Sequence, residues 1–336
     1  MSIQIYQAKL DETDAIMQFI HEHWKQGHIL SKNKKLFLYD FQDQNKLNLI
    51  IAKKENDIVG FFGFIKYNNS ENPDIAGSLW KVREDIHAPF LGIQMREYFK
   101  RTIKHRFFAA PGAGLQTKAI YKAINMDWHT MEQYYLANNQ LDEFQLLKNP
   151  LFNPSFTPTE EISQIYQATS INDLKGYVFD TEIVPLKDLN YIKKRFFKHP
   201  IYKYDVYYVK VKNTIKNIFV CRVARANESA AYRIVDFYGN LDFINNITSF
   251  LYQLIIKNGI EYIDFINYGY EQEKLLSAGF SLLDFTNQET IVPNYFEPFV
   301  QMNVPIYCVS DKTDKIFRQH KADGDQDRPN FSEIDL

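Results

Sequence analysis

Apolar runs and polar turns divide the chain into two stretches that repeat nearly the same order of elements. In the first, IQIYQA (3–8) reads as a strand, and 11–25 and 34–41 carry apolar residues at helical spacing. LNLIIA (47–52), a KEND turn at 54–57 and IVGFFGFIK (58–66) form a hairpin pattern, because β-branched and aromatic residues flank a polar turn. AGSLWKV (76–82) reads as a third strand, 88–104 as a loop and helix, RFFAA (106–110) as a fourth strand and 116–124 as a short helix. MEQYYLA (131–137) closes this unit as a strand, giving the order β-α-α-β-β-β-α-β-α-β.

The segment 149–159 holds Pro150, Pro154 and Pro158 and reads as the linker. Beyond it the pattern predicts a strand over 161–168 and a helix over 185–198, with Pro185 in its first turn. Strands at 205–212, 217–226 and 230–238 follow, then a helix at 241–257, a strand at 262–266, a helix at 272–278 ending at Gly279, and a strand at 281–285. This is the first order with one early helix fewer, so the chain reads as a tandem duplication. The expected boundaries are 1–147 and 161–310 for two domains, 148–160 for the linker and 311–336 for a C-terminal tail. The expected class is α/β (α+β), each domain a mixed, mostly antiparallel sheet flanked by helices.

GLQTKAIYKAINM (114–126) places Tyr121 in a short helix and Asn125 where that helix must stop. Asn is the non-glycine residue that best tolerates a left-handed C-terminal cap. This segment, together with IVGFFGF, the strand ending at Val82 and PFLGIQM (89–95), resembles the GCN5-related N-acetyltransferase superfamily over roughly the first 140 residues. Where that family reads Leu-Tyr-x-x-x-Gly-Phe, this chain has Ile120, Tyr121, Asn125 and Met126. The resemblance implies two tandem acyltransferase-like domains with acetyl-CoA as cosubstrate and no metal. It implies Tyr121 as general acid to the leaving thiolate, a backbone N–H near Val82 that polarises the thioester carbonyl, and Leu91, Gly92, Ile93 and Gln94 around the pyrophosphate. The family's Arg/Gln-x-x-Gly-x-Gly/Ala loop is only partly kept, with Pro89 at the basic position and Gly92 the single glycine. In the second copy the corresponding FYGNLD (237–242) lacks a basic residue and adds Asp242, which would compete with a phosphate. The second copy therefore reads as degenerate for CoA, and its expected work is to supply acceptor contacts or to support the first copy.

Composition narrows the classes. Among 336 residues, 15% are aromatic, with 27 Phe and 22 Tyr, enough apolar surface to offset the ordering entropy of a folded chain. A net charge of −2 gives no electrostatic case for nucleic acid or membrane surfaces. Cys221 and Cys308 are too few for a disulfide framework or a zinc site and read as buried thiols. The N-terminus has acidic residues where a secretory signal would be basic, and no run has the length of a membrane helix, so a cytoplasmic protein is expected.

Acyl transfer to an amine needs a base, oxyanion stabilisation and an acid for the leaving group. His28, in HWKQGH between the first two helices, is the candidate base, with Asp85 and His87 as rivals. On the acceptor side, NYFEPF (294–299) combines aromatic faces with Asn294, Tyr295 and Glu297, and DGDQDRPN (323–330) supplies Asp325, Asp327 and Arg328. Alternating aspartates suggest a calcium loop, but Arg328 stands at the glycine position and Ile334 at the twelfth, so that pattern fails. An acidic solvated tail is the alternative to acceptor binding. The pairing of these two segments resembles tandem acetyltransferase-like proteins encoded with bacterial surface-polysaccharide genes, which implies an amino-sugar or nucleotide-sugar acceptor. A non-catalytic sugar-binding or scaffold protein and a Fem-type aminoacyl transferase remain as other readings.

Overall fold

The computed structural model describes residues 2–153 and 164–330, so the linker prolines 154 and 158, the start of the expected 161–168 strand and the last residues of the tail lie outside it. The first sheet is built from β1 (Ile3–Lys9), β2 (Lys46–Lys54), β3 (Asp57–Lys66), β4 (Asp74–Val82) and β5 (Phe107–Pro111) in spatial sequence. Its central strands are apolar on both faces because helices cover both. On one face α1 (Thr13–Phe19) and α2 (Lys34–Phe41) bury Ile16, Phe19, Phe37 and Phe41 against Leu49, Phe61 and Leu79. On the other, α3 (Leu91–Thr102) and α4 (Lys118–Ala123) bury Met95, Phe99 and Tyr121 against Phe62, Phe64 and Phe108.

The two halves exchange strands, which corrects the reading of 131–137 as the strand that closes the first unit. Residues 127–137 split into β6 (Asp127–Thr130), which stays in the first sheet, and β7 (Glu132–Ala137), which crosses into the second. There β7 joins β8 (Ile165–Ala168), β9 (Asp205–Val211), β10 (Thr214–Ala226), β11 (Ser229–Tyr238), β12 (Tyr262–Tyr268) and β13 (Ser281–Leu282) in the order β13-β7-β12-β11-β10-β9-β8. In return β14 (Tyr307–Ser310) enters the first sheet between β5 and β6.

Two helix starts also shift. The helix expected from Pro185 begins at Leu189, capped by the Asp188 side chain accepting from Tyr191 N–H, and Pro185 follows a short strand instead. The helix expected from 241 runs Ile244–Asn258 and ends at Gly259 in the left-handed conformation. It lays Ile247, Leu251 and Ile255 on Ile234, Phe237 and Phe265 of the second sheet. Both cysteines are free and buried. No helix among the described residues is long and apolar enough to cross a membrane.

The C-terminal segment 316–330 runs between the sheets as a strap. Its strand β15 (Gln319–His320) pairs antiparallel with β12, and Ala322 N–H donates to Val235 O. It thereby fills the place where β11 and β12, paired in parallel only from Ala231/Tyr262 to Ile234/Phe265, part company. Beneath it, Asp236, His320 and Asp323 converge, all buried. The Lys187 ammonium sits among them, 2.7 Å from Asp236, 2.6 Å from Asp323 and 3.1 Å from His320 Nδ1, so a lysine takes the position a cation would hold. Tyr238 donates to Asp236 at 2.7 Å, and Gln319 to Asp323 at 2.6 Å. Removing the ammonium leaves two carboxylates without compensation. Lys187→Met is therefore expected to cost about 3–5 kcal/mol of folding stability, read as a lowered midpoint in urea denaturation; a midpoint equal to wild type contradicts this account of the network.

Candidate functional site

The site grows out of an irregularity in β4. Phe62 pairs with Trp80 but Phe64 pairs with Gly77, so Gly63 faces two residues, Ser78 and Leu79. Such a bulge bends and twists its strand. On the other side β4 pairs with β5 only from Asp74/Phe107 to Ala76/Ala109, and from Gly77 to Val82 the two strands diverge. Arg83 N–H donates to Val59 O at 2.9 Å. Alternation along the antiparallel ladder therefore turns the Trp80 and Val82 amides away from β3, into the opening.

One face of the opening is lined by Trp80, which meets Phe62 and Tyr121 edge to face at 5.6 and 5.8 Å. A Cβ on Gly92 would lie 3.2 Å from Trp80 Nε1, so this position admits glycine best. The α3 N-terminus begins after Phe90, which is 74% exposed and held at φ 63°, an outlier for a bulky residue. Leu91 N–H donates to Ala88 O and Gln94 N–H to Phe90 O, leaving the Gly92 and Ile93 amides without partners among the described residues. Two free amides at a helix N-terminus favour an anion. Of the four loop residues expected there, Leu91 and Gln94 have spent their amides inside the protein.

Tyr121 lies at the same opening, on α4. The helix closes as expected: Asn125 has φ 63°, Asn125 N–H donates to Lys122 O and Met126 N–H to Tyr121 O, both at 3.0 Å. The Tyr121 hydroxyl makes no hydrogen bond among the described residues. Burial pushes its pKa up to about 12, with Arg96 opposing and Asp325 adding to the rise. The phenol is thus a proton donor at neutral pH.

On the opposite face of β4 a cavity of about 190 Å³ collects residues from both halves and the strap. His28, Asn294, Tyr295, Glu297, Asp325, Asp327 and Arg328 all line it, although they come from three distant segments of the chain. The strap is therefore not a solvated tail. Gly324 (φ +57°) sits where the strands part, a Cβ there falling 2.6 Å from Pro111 and 3.4 Å from Ala76. Asp325 accepts from Ser78 Oγ at 3.0 Å and pairs with Arg328, whose Nε also reaches Asp40 at 3.1 Å. Asp327 is held by Arg222 at 2.6 and 3.2 Å and by the Tyr204 hydroxyl at 2.9 Å. Burial opposes its charge, yet Arg222, Arg195 and Arg233 outweigh that and keep the carboxyl far below its usual range.

Two roles change on this geometry. Glu297 spends one oxygen on the Tyr202 hydroxyl at 2.6 Å and the other on Asn330 N–H at 2.9 Å, so it shapes the wall rather than offering a free carboxylate. His28 caps a short helix by accepting Leu30 N–H at Nδ1, 3.2 Å away. The neutral ring then carries its proton on Nε2 and presents a donor, not the lone pair a base requires. Burial first, then Arg328 and Lys25, lower its pKa to about 4, so it is neutral at pH 7. The rival carboxylate Asp85 is exposed and forked onto Arg83 at 2.6 and 2.9 Å.

Sequence reading missed Trp24, Ser78, Trp80, Tyr202, Arg222, Arg233 and Lys321. Arg222 and Arg233 carried a signal, being charges in the middle of apolar strand patterns, and Lys321 lies two residues before the quoted tail. Trp80 and Ser78 sit on a predicted strand, but the bulge that aims them has no sequence mark.

No protein-family model matches the sequence, and no curated protein is significantly similar to it. Solved structures do share the fold. A Pyrococcus horikoshii protein assigned as an acetyltransferase aligns over 94% of this chain and 90% of its own, with a TM-score of 0.50 and 11% identity. A GCN5-related N-acetyltransferase from Anabaena variabilis aligns over 92% and 72%, with a TM-score of 0.54 and 8% identity. An Enterococcus faecalis protein of unknown function assigned as an N-acyltransferase aligns over the same shares, with a TM-score of 0.57 and 7% identity. At these identities the likeness is one of architecture: two mixed sheets flanked by helices, in the N-acetyltransferase fold, across nearly the whole chain.

The His28 assignment has a pH consequence. With the folded ring titrating near 4 and the unfolded ring near 6.5, unfolding takes up a proton between those values. Stability from the neutral ring is full above pH 6.5 and is lost as pH falls toward 4. His28→Asn, which keeps a capping side chain, should reduce the slope of stability against pH in that window by about 1.4 kcal/mol per unit. Denaturation curves across pH 4–7 check this, and an unchanged slope contradicts it.

Proposed function

We propose that the protein is an acyl-CoA-dependent N-acyltransferase that moves an acetyl group from acetyl-CoA to the amino group of an amino sugar, nucleotide-linked, of the kind used in surface-polysaccharide synthesis. The observation that carries this reading is the parted strand pair β4/β5, which has free helix amides and Tyr121 on one face and a polar cavity on the other. In this reading the CoA pyrophosphate meets the Gly92 and Ile93 amides, and the thioester lies along the opening.

The Val82 N–H would donate to the thioester oxygen as it gains charge. Asp325, which accepts from Ser78 and faces the cavity, takes the ammonium proton of the acceptor, and the freed amine attacks the carbonyl carbon. Collapse of the tetrahedral adduct breaks the C–S bond, Tyr121 protonates the departing thiolate, and the second proton of the adduct nitrogen leaves through solvent and restores the phenol. His28 Nε2–H donates to an acceptor oxygen. Tyr295 and Phe296 give the cavity aromatic surface on which a sugar can rest, while the similar structures support the acyl chemistry alone.

Tyr121→Phe should lower kcat by about 10²- to 10⁴-fold while leaving acetyl-CoA affinity nearly unchanged, measured by steady-state kinetics and calorimetry. An unaltered kcat removes Tyr121 from the chemistry. Calorimetry on the wild-type chain that finds no acetyl-CoA binding sinks the enzyme reading altogether and leaves a sugar-binding protein.

A further inference from the structure

The acceptor cavity is not chemically uniform along its length. At the end next to the parted strands stand His28 and Asp325, the latter accepting from Ser78 Oγ. At the other end, against the second sheet, stand Lys321, Arg233, Arg222 and Asn294. Of these cations, Arg233 is forked onto Asp264 at 2.6 and 3.0 Å and donates to Asn294 O at 2.8 Å, and Arg222 is forked onto Asp327.

Lys321 differs from its neighbours. It is 3% exposed, yet its ammonium has no ion pair or hydrogen bond among the described residues and lies over the Tyr295 ring, 5.0 Å from its centre. The Asn294 side chain, 2% exposed, donates to Val304 O at 2.6 Å but leaves its own Oδ1 without a partner. A buried charge and a buried acceptor lining one cavity, neither satisfied, cost the folded state free energy that a ligand can return.

Resting on the transferase reading above, we propose that the acceptor carries an anionic group, a carboxylate or a phosphate, at the end remote from its amine, and that Lys321 holds this anion while Asn294 Oδ1 accepts from an adjacent hydroxyl. The amine then points to Asp325, so the two ends of the cavity set the acceptor's direction. Burial first, then Arg233 and Arg222, lower the Lys321 pKa to about 7, with Asp327 and Asp264 opposing. An anion in contact would favour the ammonium and raise that pKa again. The strap that fills the second sheet's opening thus also contributes the charge that reads the acceptor.

The test is calorimetry on the full chain without donor, using glucosamine, glucosamine 6-phosphate and glucuronate as probes, on wild type and Lys321→Met. The expected result is that one anionic probe binds wild type about tenfold or more tightly than glucosamine, and that Lys321→Met loses this advantage while keeping glucosamine binding. Preference for the phosphate or for the carboxylate identifies the source of the anion. No anionic advantage in wild type, or an advantage retained in the variant, overturns the proposal. Because Met fills the same volume without an unpaired charge, the variant should unfold cooperatively at or above the wild-type Tm; a clear fall in Tm makes Lys321 structural and also overturns it. A chain that shows the anion advantage but binds no acetyl-CoA sinks the transferase reading alone, and one that binds acetyl-CoA without the advantage sinks this proposal alone.

Discussion

A carboxylate taken out of water must meet a cation or a donor where it comes to rest, and the strap 316–330 carries three aspartates into the interior. Asp323 meets Lys187, Asp325 meets Ser78 of β4 and Arg328, and Asp327 meets Arg222 of β10. Their partners belong to both halves of the chain. Buried pairs of this kind add little net stability over an apolar filling, but a strap displaced by one residue would bury ions without partners, at several kcal/mol each. The pairs therefore act chiefly on position. With the strap fixed, Gly324 is set where β4 and β5 part, and the residues after it form one wall of the cavity.

The duplication is used unequally. Both sheets have a parallel strand pair that comes apart after three or four residues. In the second, β15 and Ala322 N–H take up the exposed backbone, and the Gly239 loop is tied to β10 by Asn217 and to Arg318 at 2.7 Å. In the first the edge of β4 from Gly77 to Val82 stays open. The strand exchange through β7 and β14 makes the two copies one structural unit, so that a cavity built from both has fixed walls.

Much of this fold was legible in the hydrophobic pattern because most elements are short-range. The hairpin of β2 and β3 is written in its alternation and turn, and the end of α4 is written in Asn125. The strand exchange was not legible, since periodicity says that 131–137 is a strand but not which sheet accepts it. Pro185 misled for a related reason: proline suits a first helical turn, but Asp188 offered the better cap three residues later. At the site, the acidic and aromatic segments of the C-terminus were visible as chemistry, and the cavity that gathers them with His28 was not. The role of His28 depended on a single backbone N–H at Nδ1, which no sequence pattern announces.

The central claim is that the open edge of β4 joins a donor groove to an acceptor cavity. A crystal structure of the full chain with bound CoA tests it most directly. The account predicts the pyrophosphate at the Gly92 and Ile93 amides and the sulfur between Val82 N–H and the Tyr121 hydroxyl, facing the cavity of Asp325. CoA seated at the Gly239 loop of the second sheet, or with its sulfur turned away from Tyr121, contradicts it.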